Sequence, residues 1–279
     1  MNKIFIIDKH KNPGLTRFTQ TKLFFDAKNQ GTNWAYDCMV VDSVDDIVDS
    51  KGIIINSGEF VTTTFRHQHP TVNTLVDARG HSDLIQFTPN YTYEVHKKPP
   101  YQVESKQLYI LENLYKVVLK SSKLVYLDNT EPVLPNTTNA QHFYGLASGW
   151  KSVQLIKNFG IESFESITVY DKCSRQLEYQ QFLHSCATLP NTINVPPPVC
   201  GEYRPPQDIV DFWPTWHNTK VKFELIDLFA NPKFLDNSFV WISNAFMYES
   251  SIFQMGWEKC KLAHYNLISL NKTCTITET

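Results

Sequence analysis

One stretch of the sequence, residues 141–171, constrains the fold more than any other, because it has the pattern strand, tight turn, helix, strand. An apolar run at residues 142–146 predicts the first strand, and residues 166–170 predict the second. Small residues make the turn after the first strand: Gly145, Ala147, Ser148 and Gly149. Gly160 is placed as the C-terminal cap of the helix. The stretch therefore predicts a βαβ unit, in which a helix joins two parallel strands.

The turn of this unit suits a ligand. Small residues let a ligand approach the backbone closely, and the helix behind them points free N–H groups at the same place. Asp171, at the tip of the second predicted strand, can accept hydrogen bonds from the vicinal hydroxyls of a ribose. The glycine pattern G-x-G-x-x-G is absent, so an ordinary βαβ unit with a solvated aspartate explains this stretch equally well.

The composition is typical of a globular protein of about two domains. The chain has 279 residues, of which 42% are hydrophobic and 19% charged, enough to bury a sizeable core. Its net charge of −2 provides no basic field for a polyanion, which disfavours nucleic acid as a partner. The abundance of Asn, Thr and Lys would suit an AT-rich phage or viral genome.

The cysteines and the amino terminus indicate a cytoplasmic protein. The six cysteines are scattered and show no C-x-x-C pair or zinc-ligand spacing, so we expect free thiols and no metal. His67, His69 and His81 are interpreted as polar loop residues. The first apolar run is too short for a signal peptide, and none approaches the roughly 18 residues that span a bilayer.

Residues 1–130 are predicted to form a smaller α/β region of unknown role. Its predicted elements are strands at residues 3–7, 37–41, 52–56 and 123–127 and helices at 44–48 and 104–120. The helix at 44–48 lies between the strands at 37–41 and 52–56, an order that implies a parallel pair of strands joined by a crossover. We place the domain boundary in the proline-containing loop near residue 130, or in the connection at residues 87–101.

Residues 131–279 are predicted to form the second domain, which contains the βαβ unit. The further predicted elements are a helix capped by Ser174, strands at 220–226 and 239–242, a helix at 250–268 and a final strand in the tail. Residues 189–216 contain seven prolines, which argue against a regular helix or an interior strand. We therefore expect an irregular insertion there, draped over the surface or over the site.

Residues 222–246 carry a pattern that resembles class I S-adenosylmethionine-dependent methyltransferases. In that family, a strand ends in an acidic residue, and a polar loop then leads to an apolar strand that ends in a short polar-aromatic motif. Asp227, the D-N-S-F sequence at residues 236–239 and the S-N-A-F sequence at residues 243–246 occupy these places. Upstream, the small-residue turn and Asp171 fall where the family has its glycine-rich turn and its ribose-binding acid.

The resemblance covers roughly residues 140–270 and implies a fold and a cofactor. The implied fold is a Rossmann-like, mostly parallel sheet with helices on both faces. The implied cofactor is S-adenosylmethionine, held by Gly145, Ala147 and Gly149 at its methionine part, Asp171 at its ribose and Asp227 at its adenine, with Asn244 facing the methyl acceptor. The family normally has three more strands after this point, so the sheet is either completed by residues 1–130 or truncated. No catalytic residue is assigned, because alignment of the activated methyl group provides most of the rate.

Three functions are compatible with these features. The first is methyl transfer to a small-molecule or protein acceptor. The second is a non-catalytic Rossmann-like binding or assembly protein, which the sparse glycine turn and the short carboxyl end favour. The third is a nucleotide-sugar transferase, since a separate βαβ pattern occurs in residues 1–60. A homo-oligomer or an assembly partner is compatible with each.

Overall fold

The structure is a computed structural model, and it describes part of the chain. The described residues are 2–8, 16–17, 20, 36–43, 46–47, 52–56, 85–87, 93–95, 124–129, 138–195 and 199–278. The predicted helix at residues 104–120, most of that at 44–48 and the histidines at positions 67, 69 and 81 lie outside these ranges.

The chain forms two compact units. The first unit comprises residues 1–119 and 247–262, and the second comprises residues 120–246 and 263–279. The expected boundary near residue 130 stays a prediction, since residues 130–137 lie outside the described part.

The first unit contains a three-stranded parallel sheet, which confirms the strands predicted at residues 3–7, 37–41 and 52–56 and their parallel direction. The predicted direct pairing of the second and third strands is wrong, since each pairs with the first strand, which lies between them. Strands β1 (Asn2–Ile7), β2 (Tyr36–Val41) and β3 (Gly52–Asn56) have the order β2-β1-β3. A short antiparallel pair, β4 (Ile85–Phe87) and β5 (Tyr93–Val95), also belongs to this unit.

Residues 247–262 join this unit through β2. Lys261 forms an ion pair with Asp37 at 2.6 Å, and the carboxylate of Glu258 accepts the backbone N–H of Cys38. Both partners of each contact belong to the first unit. The far end of the sequence thus contributes to the unit that contains the amino terminus.

The second unit is built on a five-stranded, all-parallel sheet flanked by helices, as predicted. Its strands are β7 (His142–Leu146), β8 (Ser166–Asp171), β10 (Val221–Leu225), β11 (Ser238–Trp241) and β12 (Thr275–Thr277). They have the order β10-β8-β7-β11-β12. Numbered within the sheet, this is 3-2-1-4-5, the order of the first five strands of a Rossmann fold. Among the described residues, the sheet includes no strand from residues 1–119.

One face of this sheet packs on three helices: α1 (Lys151–Phe159), α2 (Ser174–Ser185) and α3 (Gln207–His217). Phe143 of β7 and Phe239 of β11 stack at 5.9 Å between ring centroids, and Phe159 of α1 meets Phe239 at 4.9 Å. Ile167 and Val169 of β8 lie in the same core. Side chains alternate between the faces of a strand, so the intervening residues lie on the other face.

The opposite face has its own aromatic packing. Tyr144 of β7 and Tyr170 of β8 both contact Phe234, at 4.8 and 6.0 Å between ring centroids. The backbone N–H of Phe234 donates to Asn271, which directly follows helix α5 (Trp257–Leu270). The amide of Asn271 in turn donates to the carbonyls of Pro232 and Leu267. Asn271 therefore fastens the loop before β11 to the end of α5.

Gly160 ends helix α1 as predicted. Its backbone has φ +84°, which L-residues with a side chain rarely adopt, and its N–H donates to the carbonyl of Ile156 at 2.9 Å. The apolar side of α1 buries Val153, Leu155, Ile156 and Phe159, so the βαβ unit has the predicted form.

The prediction for residues 189–216 is wrong in part, because a regular helix, α3, begins at Gln207. Pro205 and Pro206 precede the helix, where a missing N–H costs nothing. Pro214 lies inside α3 on its exposed side, and the opposite side buries Ile209, Trp213 and Trp216. Burial of three large apolar side chains outweighs the one helical hydrogen bond that Pro214 removes.

Two other helix predictions need correction. Ser174 is the first residue of α2 and not its cap, since Cys173 holds the N-cap position in an extended conformation. The predicted helix at residues 250–268 is two helices, α4 (Glu249–Met255) and α5, separated by Gly256 at φ +85°. A glycine in this conformation cannot continue a right-handed helix. The predicted final strand is present as β12.

Candidate functional site

The residues predicted to bind a ligand lie at one edge of the five-stranded sheet. Asp171 ends β8, Asp227 follows β10 by two residues, and Asn244 follows β11 by three. The small-residue turn follows β7. Since all these strands are parallel, their carboxyl ends meet at the same edge, and the order reverses between β7 and β11. Open α/β sheets bind their ligands beside such a reversal.

The turn after β7 is fastened by hydrogen bonds to other parts of the chain. Ala147 donates its N–H to the carbonyl of Tyr170 at 2.7 Å, and Ser148 donates to Leu146 at 2.8 Å. Gly149 donates to the carbonyl of Tyr126 at 3.3 Å. Three N–H groups that the sequence offered to a ligand are therefore bonded within the protein.

The missing side chain of Gly149 makes room for the protein's own backbone. A Cβ there would lie 2.5 Å from the carbonyl carbon of Asp128 and 2.7 Å from the nitrogen of Asn129. The residue also has φ +56°, which disfavours other residue types. Asn129 reaches the turn as well, with its amide 3.2 Å from the hydroxyl of Ser148. The close approach that the glycine permits is thus made by residues 128–129.

Gly145 is enclosed in the same way. A Cβ on Gly145 would lie 2.3 Å from the hydroxyl of Ser152 and 2.5 Å from the ring of Phe143. The hydroxyl of Ser152 donates to the carbonyl of Leu146 at 2.7 Å, so it is held in position. Ala147 is buried as well.

Residues 125–129 cover the turn, although nothing in the sequence pattern indicated that they belong to the site. Strand β6 (Val125–Tyr126), shorter than the predicted strand at 123–127, pairs with β9 (Val199–Cys200), and Gln176 of α2 holds it. The amide of Gln176 accepts from the N–H of Tyr126 at 2.6 Å and donates to its carbonyl at 3.3 Å. Gln180, one turn later, donates to the carbonyl of Gly149 at 2.8 Å. The sequence did contain one indication of these contacts, since Gln176 and Gln180 are polar residues spaced four apart on the apolar side of a predicted helix.

Asp171 has the most unusual electrostatics of the predicted site residues. Burial raises the pKa of its carboxyl from 3.8 to about 6, against the effect of its hydrogen bonds and of Lys172. Its Oδ1 accepts the backbone N–H of Cys173 at 2.8 Å. A carboxylate has room for about four hydrogen bonds, so the group retains acceptor capacity for a ligand hydroxyl.

Asp227 and Asn244 have local partners. The exposed Asp227 accepts the N–H of Phe229 at 3.0 Å and so caps the short helical turn Leu228–Ala230. The amide oxygen of Asn244 lies 3.5 Å from the hydroxyl of Ser243, a residue with φ +53°. Among the described residues, no hydrogen bond joins Asp171, Asp227 and Asn244 to one another.

The side chain of Phe229 contacts residues of the loops after β8 and β11, a role that the sequence pattern did not indicate. Lys172, next to Asp171, places its ammonium 5.5 Å from the centre of the Phe229 ring. Phe246, two residues after Asn244, meets the same ring at 4.9 Å. The loops after β8, β10 and β11 therefore converge on one partly buried aromatic side chain, as a shared ligand site requires.

In the part of the chain that the structure describes, no group of three His, Cys, Asp or Glu side chains could hold a metal ion. Within the same part, no helix has the length and hydropathy to cross a membrane. No protein-family model matches the sequence, and neither a curated protein nor a solved structure shows significant similarity to it.

Proposed function

We propose that the second unit binds S-adenosylmethionine and transfers its methyl group. The observation that carries this proposal is the junction between Ala147 and Tyr170. Their 2.7 Å hydrogen bond holds the turn after β7 against the last residue before Asp171, beside the reversal of strand order. A nucleoside that lies across these strand ends would meet both the turn and the carboxylate.

The residues of the edge would divide the cofactor among them. Asp171 would accept hydrogen bonds from the ribose hydroxyls, and Asp227 would accept one from the adenine amino group. Gly145 and Ala147 would lie near the methionine part, and Asn244 would face the acceptor. The cofactor supplies an already activated methyl group, so the protein has to align this group with the acceptor and to exclude water.

The fit of the turn to this cofactor is partial, because Asp128 already occupies the space beside Gly149. Gly145 and Ala147 are buried too, so the cofactor would contact the turn at Leu146, which is partly exposed.

The acceptor in this proposal is a small molecule or a protein, because the net charge of −2 does not favour a polyanion. All six cysteines are free thiols, which supports a reducing cytoplasm as the setting.

Calorimetric titration with S-adenosylhomocysteine tests the proposal. Wild type should bind, and Asp171→Ala should bind about ten- to a hundredfold more weakly, because hydrogen bonds to a charged group are lost. Asp211→Ala, at an exposed position of α3, is the matched control and should bind as wild type does. Absence of binding by wild type, or equal binding by the Asp171 variant, would contradict the assignment.

A second candidate is a binding or assembly protein without catalysis. It is favoured by the turn, whose N–H groups at residues 147, 148 and 149 are all bonded internally. Such a protein would show no calorimetric response to S-adenosylhomocysteine and no change in melting temperature with it. A bound ligand at about 100 times its Kd would stabilise by about 2.7 kcal/mol, which a melting curve resolves.

A further inference from the structure

The free edge of strand β10 has features of a self-association surface. Among the described strands, β10 pairs on one side with β8 and is the last strand of its sheet on the other. An unpaired strand edge presents backbone donors and acceptors to another chain. The residues of β10 are largely accessible, and Leu225 at its end is 66% exposed.

The direction of the backbone groups in β10 follows from one hydrogen bond. Ile226 donates its N–H to the carbonyl of Asp171 at 3.0 Å, so its backbone groups point toward β8. This direction alternates along a strand, so Lys222 and Glu224 also point their backbone groups inward. Val221, Phe223 and Leu225 therefore point theirs outward, where a further strand would pair.

The sequence of this edge, V-K-F-E-L, is complementary to itself when two copies run antiparallel. With Phe223 opposite Phe223 of a second copy, Val221 lies opposite Leu225, and both pairs use the outward backbone groups. Lys222 then lies opposite Glu224 twice, once on each side of the twofold axis. These pairs take the non-hydrogen-bonded positions, where opposing side chains are closest.

The charges of this strand have no competing ion pair in the described part of the chain. Lys222 and Glu224 are both exposed and form no ion pair with another described residue. A second copy in the stated register would pair both of them. Other registers would lose these pairs or bring like charges together, so the charge pattern selects one arrangement.

We propose that two copies of this chain associate through β10, antiparallel and centred on Phe223, to form one continuous ten-stranded sheet. Such an interface is isologous and closes at the dimer. It is smaller than a standard protein interface of about 1,600 Å², so a dissociation constant on the order of micromolar is expected.

Sedimentation velocity of the full chain between about 1 and 100 µM, a range that brackets a weak dimer, tests the proposal. Wild type should shift from monomer to dimer with concentration. Glu224→Lys should raise the dissociation constant at least about tenfold, since two attractive pairs become repulsive. The double variant Lys222→Glu/Glu224→Lys restores opposite charges and should recover the wild-type constant. Glu162→Lys, the same charge change at an exposed position elsewhere, should leave it unchanged.

Three outcomes would overturn the proposal. Wild type that stays monomeric throughout the range shows that the edge does not associate. Equal dimerisation of wild type and Glu224→Lys places any interface elsewhere. A double variant as weak as the single one shows that Lys222 and Glu224 do not oppose each other. Circular dichroism of each variant separates these results from loss of folding.

Discussion

The hydroxyl of Tyr170 donates a hydrogen bond to the carbonyl of Trp241 at 3.0 Å, across the strand that lies between them. Tyr170 belongs to β8 and Trp241 to β11, with β7 in the middle, so the bond spans the reversal of strand order. Both residues are fully buried. A polar contact in an apolar layer thus fixes the spacing of three strands at the edge proposed to bind the ligand.

Tyr170→Phe should destabilise the protein by about 1 kcal/mol, because the variant removes a buried hydrogen bond. The midpoint of urea unfolding measures this loss. Tyr265→Phe changes the same group at a half-exposed position and should have little effect. Equal midpoints for Tyr170→Phe and wild type would show that the bond contributes nothing.

Gly149→Ala should lower the free energy of unfolding by at least about 2 kcal/mol. The added methyl group would meet the backbone of Asp128, and residue 149 has a positive φ. Thermal unfolding in the absence of ligand checks this prediction, which concerns packing and not cofactor binding. A variant that melts with wild type would mean that residues 128–129 do not cover the turn.

Ionisation of Asp171 should make stability fall as the pH rises from about 4 to 6. The pKa of its carboxyl is 3.8 in the unfolded chain and about 6 when folded, because burial disfavours the charged form. Between these values the folded state holds a proton that the unfolded state has released, so the free energy of unfolding decreases with pH. The decrease amounts to roughly 3 kcal/mol at most and levels off about one pH unit above the folded pKa.

Asp171→Asn removes this penalty. The variant should match wild type near pH 4 and exceed its stability above pH 6, as measured by chemical unfolding at both values. Asp211→Asn on α3 is the matched control and should follow wild type. A variant less stable than wild type at pH 7 would show that the hydrogen bond to Cys173 outweighs the cost of burying the charge.

Tyr179→Phe and Tyr203→Phe should be neutral or should stabilise by about 1 kcal/mol, in contrast to Tyr170→Phe. Both hydroxyls are buried without a hydrogen-bond partner among the described residues, so their removal ends a desolvation cost. Burial raises the pKa of Tyr203 to about 12, which agrees with an enclosed hydroxyl. A loss of stability as large as that of Tyr170→Phe would show that these hydroxyls do have a hydrogen-bond partner, such as an ordered water.

Strands were predicted well because their signal is local. Residues 52–56 and 142–146 were predicted with the observed bounds, since β-branched and aromatic runs between turn residues are typical of buried parallel strands. Helix α3 was missed because its prolines outweighed the spacing of Ile209, Trp213 and Trp216, which is helical.

The site was predicted less completely than the sheet. The positions of Asp171 and of the turn follow from local pattern, and the structure places both at the expected edge. The cover over Gly149 depends on Asp128, 21 residues earlier, and on Gln176, 27 residues later. Contacts at that separation leave no periodic trace in a single sequence.

Each unit consists of two separate segments of the chain, so a simple truncation of the gene cannot encode either unit completely. The polypeptide passes from the second unit into the first after residue 246 and returns after residue 262. A gene that starts at residue 120 would therefore encode Glu258 and Lys261 without Cys38 and Asp37. One that stops at residue 119 would lack the same segment. Neither unit can be released intact by a single cut, and isolation of the unit with the parallel five-stranded sheet requires both removal of residues 1–119 and replacement of residues 247–262 with a linker.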